Sequence, residues 1–151
     1  MTEGVIEQRL QEKVLMISRV AKKVKGGERR GFAALVAVGD GKGKVGIGYG
    51  RAQDLRTAIG KGKRRAKRKM FNVPITGTTV PHRVEVREGA AQIIIKPAPR
   101  GSGLIAGGVV RNLLELAGYK DVSAKILGTR NKMTNARATV KAFERLADEA
   151  R

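Results

Sequence analysis

Apolar and polar residues alternate imperfectly through 13–24, KVLMISRVAKKV, with Val14, Met16, Val20 and Val24 at the apolar positions. Side chains of a strand alternate between faces, so this pattern predicts a long strand, ended by a turn at Gly26-Gly27. Residues 32–38, FAALVAV, are apolar throughout. Such a run predicts a second strand, central in its sheet. Gly39-Asp40-Gly41-Lys42-Gly43-Lys44 is a turn signal. A third strand, VGIGYG at 45–50, sets Val45, Ile47 and Tyr49 on one face. Two successive hairpins predict an antiparallel sheet.

A helix is predicted over 52–71, with Leu55, Ile59, Ala66 and Met70 as its apolar stripe. Gly60 and Gly62 weaken it by about 1 kcal/mol each relative to Ala. Val73-Pro74 and Thr78-Thr79-Val80-Pro81 mark a linker. Strands are predicted over His82–Val86 and Gln92–Lys96, the latter buried through Ile93, Ile94 and Ile95 and stopped by Pro97 and Pro99. The stretch from Gly101 to Gly108 leads into a helix over 109–117, closed by Gly118 as its C-cap. Another strand is predicted over Val122–Leu127. A last helix, 135–149, has Thr134 as N-cap and Ala136, Val140, Phe143 and Ala147 as its stripe. The fold class is α+β. An N-terminal module of three antiparallel strands plus a helix precedes a small α/β module of strands, helix, strand, helix. The predicted organisation is a flexible tail over 1–9, a first domain over 10–75 and a second over 76–151. No internal repeat is visible.

Charge narrows the function. The chain has 151 residues, with 32 Lys plus Arg against 13 Asp plus Glu, a net charge of +19. Residues 1–75 hold 19 basic and 6 acidic groups, net +13; residues 76–151 hold 13 and 7, net +6. A folded chain so charged repels itself unless a polyanion supplies counter-charge. The main polyanion surface is therefore expected in the first module, with a second contact in the other. With no Cys and one His (His82), disulfides, thiolate metal sites and a His-built metal centre or triad fall away. The acidic N-terminus lacks the apolar core of a secretory signal, and no apolar run approaches a membrane span. These features predict a cytoplasmic or organellar protein with no metal, no cofactor, no membrane contact and no small-molecule substrate.

Several motifs carry alternative chemistries. Gly41, Gly43 and Gly46 satisfy G-x-G-x-x-G, but a strand follows where a dinucleotide site needs a helix, so the glycines read as a hairpin turn. Arg30-Gly31-Phe32-Ala33 resembles the start of an RNA-recognition-motif strand, yet Ala34 and Ala37 stand at the later aromatic positions and Phe32 reads as core. Five Phe plus Tyr and no Trp supply base stacking poorly. Many cations with few aromatic rings favour recognition of backbone and shape. The candidate phosphate contacts are Arg19; the hairpin Lys22, Lys23, Lys25, Gly26, Gly27, Arg29 and Arg30; the turn Lys42 and Lys44; then Arg51, Arg56, Lys61, Lys63, Arg64, Arg65, Lys67 and Arg68; and, in the second module, Arg130, Asn131 and Lys132. The last group either touches RNA or caps the final helix. Gly101–Gly108, flanked by Arg100 and Arg111, reads either as an anion cradle at a helix N-terminus or as a glycine loop packed on a neighbour.

Many of these residues lie in stretches that resemble the bacterial-type fifth protein of the small ribosomal subunit. They are Arg19-Val20-Ala-Lys22-Lys-Val24-Lys25-Gly26-Gly27, Phe32 through Gly46, Gly77-Thr-Thr-Val-Pro81-His82, Lys96-Pro97-Ala98, Ile105-Ala-Gly-Gly108, Leu114-Glu-Leu-Ala-Gly118 and Arg137-Ala138-Thr139. The resemblance spans most of residues 10–147 in order. It implies a first domain similar to a double-stranded-RNA-binding fold lacking its first helix. The second domain is implied to share an α/β fold with some small-molecule kinases, without enzyme activity. It further implies small-subunit rRNA as partner, contacts with ribosomal proteins four and eight of that subunit, and a role in translational accuracy. Arg19 would lie where mRNA enters, and the Lys22–Arg30 hairpin near the spectinomycin-binding region of the rRNA. Arg100, Ser102 and Arg111 become candidates for protein contact. Two departures from the family pattern, Arg100-Gly-Ser-Gly103 and Asn131-Lys132, fall in the second module. Two other classes are a free double-stranded-RNA binder or RNA chaperone, and a phosphate-transfer enzyme on the second module.

Overall fold

The computed structural model describes residues 10–24 and 27–149, with side chains 21–30 outside the description. The first sheet has the order β1-β2-β3-β4, built from Gln11–Val24, Gly27–Gly39, Lys44–Ala52 and the short Phe71–Asn72. All its pairs are antiparallel, and a bulge between Val14 and Met16 shifts the register of β1. β4 was not expected from the sequence; it pairs only with Lys44 and Val45.

β2 is buried from Ala33 to Gly39 because both its faces are covered. Ala34 and Val36 pack with Ala58 of helix α1, Leu55–Arg68. Leu35 and Ala37 join the larger core, which continues into the second half of the chain. α1 is shorter than the predicted 52–71 and starts at Asp54, whose carboxylate accepts from the Thr57 N–H at 3.0 Å. Its buried face is Ala58, Gly62 and Ala66, while Leu55, Ile59 and Met70 of the expected stripe are only half-buried.

The reason is on β3. Gly46, Gly48 and Gly50 face α1, and a Cβ on any of them would meet helix backbone: Ala66 O at 2.4 Å, Gly62 O at 2.3 Å and Ala58 O at 2.3 Å. Gly62 returns the fit, since a Cβ there would meet Val36 Cγ2 at 2.7 Å. Helix and strand touch backbone to backbone, so small residues take the place of a large apolar stripe.

The second sheet has the order β5-β6-β8-β7: Val84–Glu88, Ala91–Pro97, Val122–Leu127 and Leu104–Ile105. β7, unforeseen inside the glycine-rich stretch, pairs parallel with β8. Helix α2, Gly108–Ala117, is apolar on nearly every side and buries Val109, Val110, Leu113, Leu114, Leu116 and Ala117. It lies between the sheets, and one core cluster runs through it from Leu35 to Phe143.

The β2–β3 turn finishes α2. A helix leaves its last carbonyls without intrahelical donors. Here Gly41 N–H donates to Leu116 O at 3.0 Å and Gly43 N–H to Ala117 O at 2.7 Å. Gly118, the predicted C-cap, has φ 106°, and a Cβ there would sit 2.3 Å from Gly41 O.

Helix α3, Lys132–Glu149, begins earlier than predicted. Its cap is Asn131, whose Oδ1 accepts from Met133 N–H at 3.0 Å and Thr134 N–H at 3.2 Å, so Thr134 is not the cap. The buried face is Asn135, Ala136, Ala138, Thr139, Ala142, Phe143 and Leu146, which leaves Val140 and Ala147 of the expected stripe half-buried. No helix among the described residues is long and apolar enough to cross a membrane.

The stretch read as a linker is a fixed strap. Val73 and Val80 are buried, and Tyr119 Oη donates to Pro74 O at 2.5 Å. Burial raises the Tyr119 phenol above its ordinary range. Thr78 Oγ1 donates to Asp121 Oδ2 at 2.6 Å, while Gly101 and Gly103 N–H donate to Asp121 Oδ1 at 3.1 and 2.9 Å. The Thr78 hydroxyl first, then these amides, hold the Asp121 carboxyl below its ordinary value of 3.8.

Two outcomes follow. Ala in a strand is ordinarily better than Gly, but Gly48→Ala is expected to destabilise by about 1–3 kcal/mol, as overpacking does; denaturant unfolding showing a gain would remove the close seat of α1. Asp121→Asn is expected to lower Tm on the order of 5 °C at neutral pH. A lowered carboxyl pKa stabilises above the unfolded value and is lost as pH falls through the folded one, so the gap should close below pH 3.8. A gap independent of pH excludes the account.

Candidate nucleic-acid interface

The close seat of α1 leaves the rest of its circumference free, and the sequence fills it with cations. Arg56, Arg64, Lys67 and Arg68 are exposed, and none of them forms an ion pair among the described residues. Arg65, Lys67 and Arg68 occupy the last turn, where the negative end of the helix dipole favours positive charge. Exposed Arg51, on the strand beneath, adds a cation at the end of β3.

The expected set divides here. Lys61 Nζ donates to Arg51 O at 3.2 Å and Arg65 Nη1 to Tyr49 O at 2.6 Å. β4 reaches only to Val45, so these two side chains cover the outer carbonyls of a strand edge that β4 does not pair. An uncovered edge is a template for unwanted strand pairing. Lys63, half-buried, is 3.2 Å from Glu12 on β1. Lys61, Arg65 and Lys63 thus already have partners within the fold.

Lys42 and Lys44 are exposed, on a turn shaped by Asp40 Oδ1, which accepts from both their backbone N–H groups at 2.8 and 3.0 Å. Arg19 is exposed on β1, opposite Phe32, which is half-buried against the α1 side of the sheet. The expected 22–30 hairpin has backbone pairing from Ala21↔Arg30 to Val24↔Gly27. Residues 25 and 26, and the side chains of Lys22, Lys23, Arg29 and Arg30, lie outside the described residues.

In the second module Arg130 and Lys132 are exposed on either side of Asn131. The carboxamide oxygen of Asn131 caps α3, and its N–H is accepted by Thr129 Oγ1 at 3.1 Å. Arg100 and Ser102 are exposed on the loop tied to Asp121. Asp121 already takes the Gly101 and Gly103 amides, so these two are not open to an anion, and a Cβ built on Gly101, Gly103 or Gly107 would meet nothing within 4 Å, so the loop is not packed closely on a neighbour. Arg111 Nε is 3.2 Å from Glu115 Oε1, and Lys13 of β1 pairs with the same carboxylate. The Lys13 bond, then Arg111, holds Glu115 below the usual carboxylate range and pins β1 to α2.

Sequence reasoning missed the open face of the second sheet. Lys96 and Lys125 are exposed there, with half-buried Ile94 between. The alternation of β6, buried at Ala91, Ile93 and Ile95, was the signal that could have found it.

Residues 10–74 match the family model described as Ribosomal protein S5, N-terminal domain, and residues 86–150 match Ribosomal protein S5, C-terminal domain. The chain is also similar to the small ribosomal subunit protein uS5 of Protochlamydia amoebophila (strain UWE25). The two are 49% identical over 140 residues, covering 93% of this chain and 84% of that relative. The two matches follow one another along nearly the whole chain, so the expectation raised by the resemblance stands: the chain belongs to the ribosomal protein S5 family.

Proposed function

We propose that this chain, by its family a structural constituent of the small ribosomal subunit, anchors rRNA through the exposed ridge of α1. Arg56, Arg64, Lys67 and Arg68 carry most of the contact, extended by Arg51 and by Lys42 and Lys44. The observation behind this reading is the combination of a helix seated on its backbone and cations left without intramolecular acids. Each phosphate neutralised releases counterions, and a ridge poor in aromatic rings reads the width and backbone of a folded RNA. The 22–30 hairpin forms a second basic arm on the same sheet, and Arg130 with Lys132 a third contact from the second module. The Gly26-Gly27 pair lets the hairpin backbone approach phosphate closely.

The finer placement follows from the family resemblance. Arg19 is assigned to the side where mRNA enters, and Arg100, Ser102 and Arg111 to contacts with ribosomal proteins four and eight. The packed joint between the two sheets suits a part whose geometry affects translational accuracy. The cytoplasm is the compartment in which such a subunit works. A free double-stranded-RNA binder is the weaker reading, because both halves of the chain match a ribosomal protein family.

The logarithm of the affinity for small-subunit rRNA should fall linearly with log salt. Replacing Arg64, Lys67 and Arg68 together by Ala should reduce the slope by about 2. Lys61→Ala with Arg65→Ala should change it by less than about 1. Filter binding across a salt series checks both, and equal slopes for the two variants would show that α1 does not meet the rRNA as described. Lys25→Ala with Arg29→Ala should weaken rRNA binding at unchanged Tm. Unaltered affinity would leave the hairpin as solvated surface.

A further inference from the structure

A groove of about 880 Å³ runs between β4 and α3. Its apolar wall is Ile47, Phe71, Val73, Pro74, Val140 and Ala147. Val140 and Ala147 are the two α3 residues whose spacing predicted core but which the core does not absorb. Lys69 stands on one rim, Glu144 and Asp148 on the other.

Two of the four cations of α3 are tied to β5. Lys141 and Arg145 turn to β5, where Lys141 Nζ donates to Arg87 O at 2.9 Å and Arg145 Nη1 to Glu85 O at 2.7 Å. Lys141 Nζ is also 3.6 Å from Glu88. Glu149 is 3.0 Å from His82. Glu144 and Asp148 form no ion pair among the described residues, in a chain of net charge +19. One helical turn apart beside an apolar wall, they repel phosphate and attract a cation whose stem is aliphatic.

We propose that this groove docks a peptide segment of a neighbouring protein, apolar residues on the Phe71–Val140 wall and a Lys or Arg on Glu144 and Asp148. The proposal goes beyond the rRNA reading and rests on it only in taking the neighbour to be another protein of the same particle.

The test begins with small subunits assembled around the full chain carrying photoreactive benzoylphenylalanine in place of Ala147 or, separately, Asp148. Sedimentation first shows incorporation; failure of the unaltered chain to enter the particle counts against the ribosomal reading, not the groove. In incorporated particles the expected crosslink is to a protein segment with Lys or Arg beside apolar residues. A crosslink to rRNA, to a second copy or to an acidic segment, or none from either position, overturns the proposal. In parallel, a labelled nonapeptide of alternating Lys and Leu is titrated against the free chain by fluorescence anisotropy. Saturable binding is expected, weakened at least about tenfold in Glu144→Gln/Asp148→Asn, whose unfolding curve checks its fold, and absent for the Glu and Leu counterpart. Equal binding to both proteins, or no saturable binding, overturns it. The neutralised variant should keep its rRNA affinity, and a change there would place RNA in the groove instead.

Discussion

Gly46, Gly48 and Gly50 of β3 meet Ala58, Gly62 and Ala66 of α1 at distances no side chain larger than hydrogen tolerates on the strand. Most helices earn their place by burying a broad apolar stripe. α1 buries three small residues and relies on close atomic contact, on the Asp54 cap and on two side chains that strap it to the strand edge. The arrangement has a direct electrostatic consequence. A stripe this narrow leaves most of the circumference available, so seven cations fit between Lys61 and Lys69 without entering the core. Their mutual repulsion is unfavourable to an isolated helix. Three of them sit in the last turn, where the helix dipole compensates in part.

The strapping recurs. On α1, Lys61 and Arg65 cover the carbonyls of Arg51 and Tyr49. On α3, Lys141 and Arg145 cover those of Arg87 and Glu85. In both cases a Lys and an Arg one helical turn apart reach alternate carbonyls of one strand, the Lys taking the later one. The sequence has no detectable repeat; the shared geometry comes from a shared constraint. A strand at the margin of a sheet exposes unpaired backbone groups, and long cationic side chains from the covering helix are a compact way to occupy them. Positive charge therefore serves two ends here, and counting Lys and Arg does not separate them.

The order of the first three strands, the central place of FAALVAV and the Gly118 cap were all legible, because each rests on local chemistry: alternation, a long apolar run and a glycine where φ is positive. The apolar stripes of the helices were not. For α1 the expected large residues flank the contact, since the partner strand carries glycines and leaves no depth for them. For α3 the stripe is rotated toward Thr139, Ala142 and Leu146, while Val140 and Ala147 face the groove. The cap moved from Thr134 to Asn131 for a reason visible only in three dimensions, as Asn135 Nδ2 binds Thr129 O and fixes the preceding turn. Of the expected phosphate contacts, composition identified the cations but not which of them strand carbonyls or Glu12 already hold. Asp121 was invisible as a site residue: one acid after a turn has no pattern, and its role exists only once Thr78 and the 101–103 loop converge on it.

The distribution of acids completes the electrostatic argument. With 13 carboxylates against 32 cations, each acid that is not neutralised by its position changes the local sign of the surface. Glu115 is held between Lys13 and Arg111 at the joint of the two sheets, and Asp121 is buried under hydrogen bonds. Glu115 ties β1 to α2, Asp121 ties the 74–80 strap to the 101–103 loop, and both already have partners within the fold. Glu144 and Asp148 are different, since two cations of their own helix, Lys141 and Arg145, are tied to β5. The strapping of β5 and the acidity of the groove are linked through α3: with Lys141 and Arg145 held by the strand, Glu144 and Asp148 stand at the groove with no ion pair among the described residues. A surface that is positive along α1 and carries those two acids beside Lys69 at the groove attracts phosphate at the first place far more than at the second. Such a molecule can meet an RNA in only a restricted set of orientations, and sorting of charge fixes its pose before any base is read.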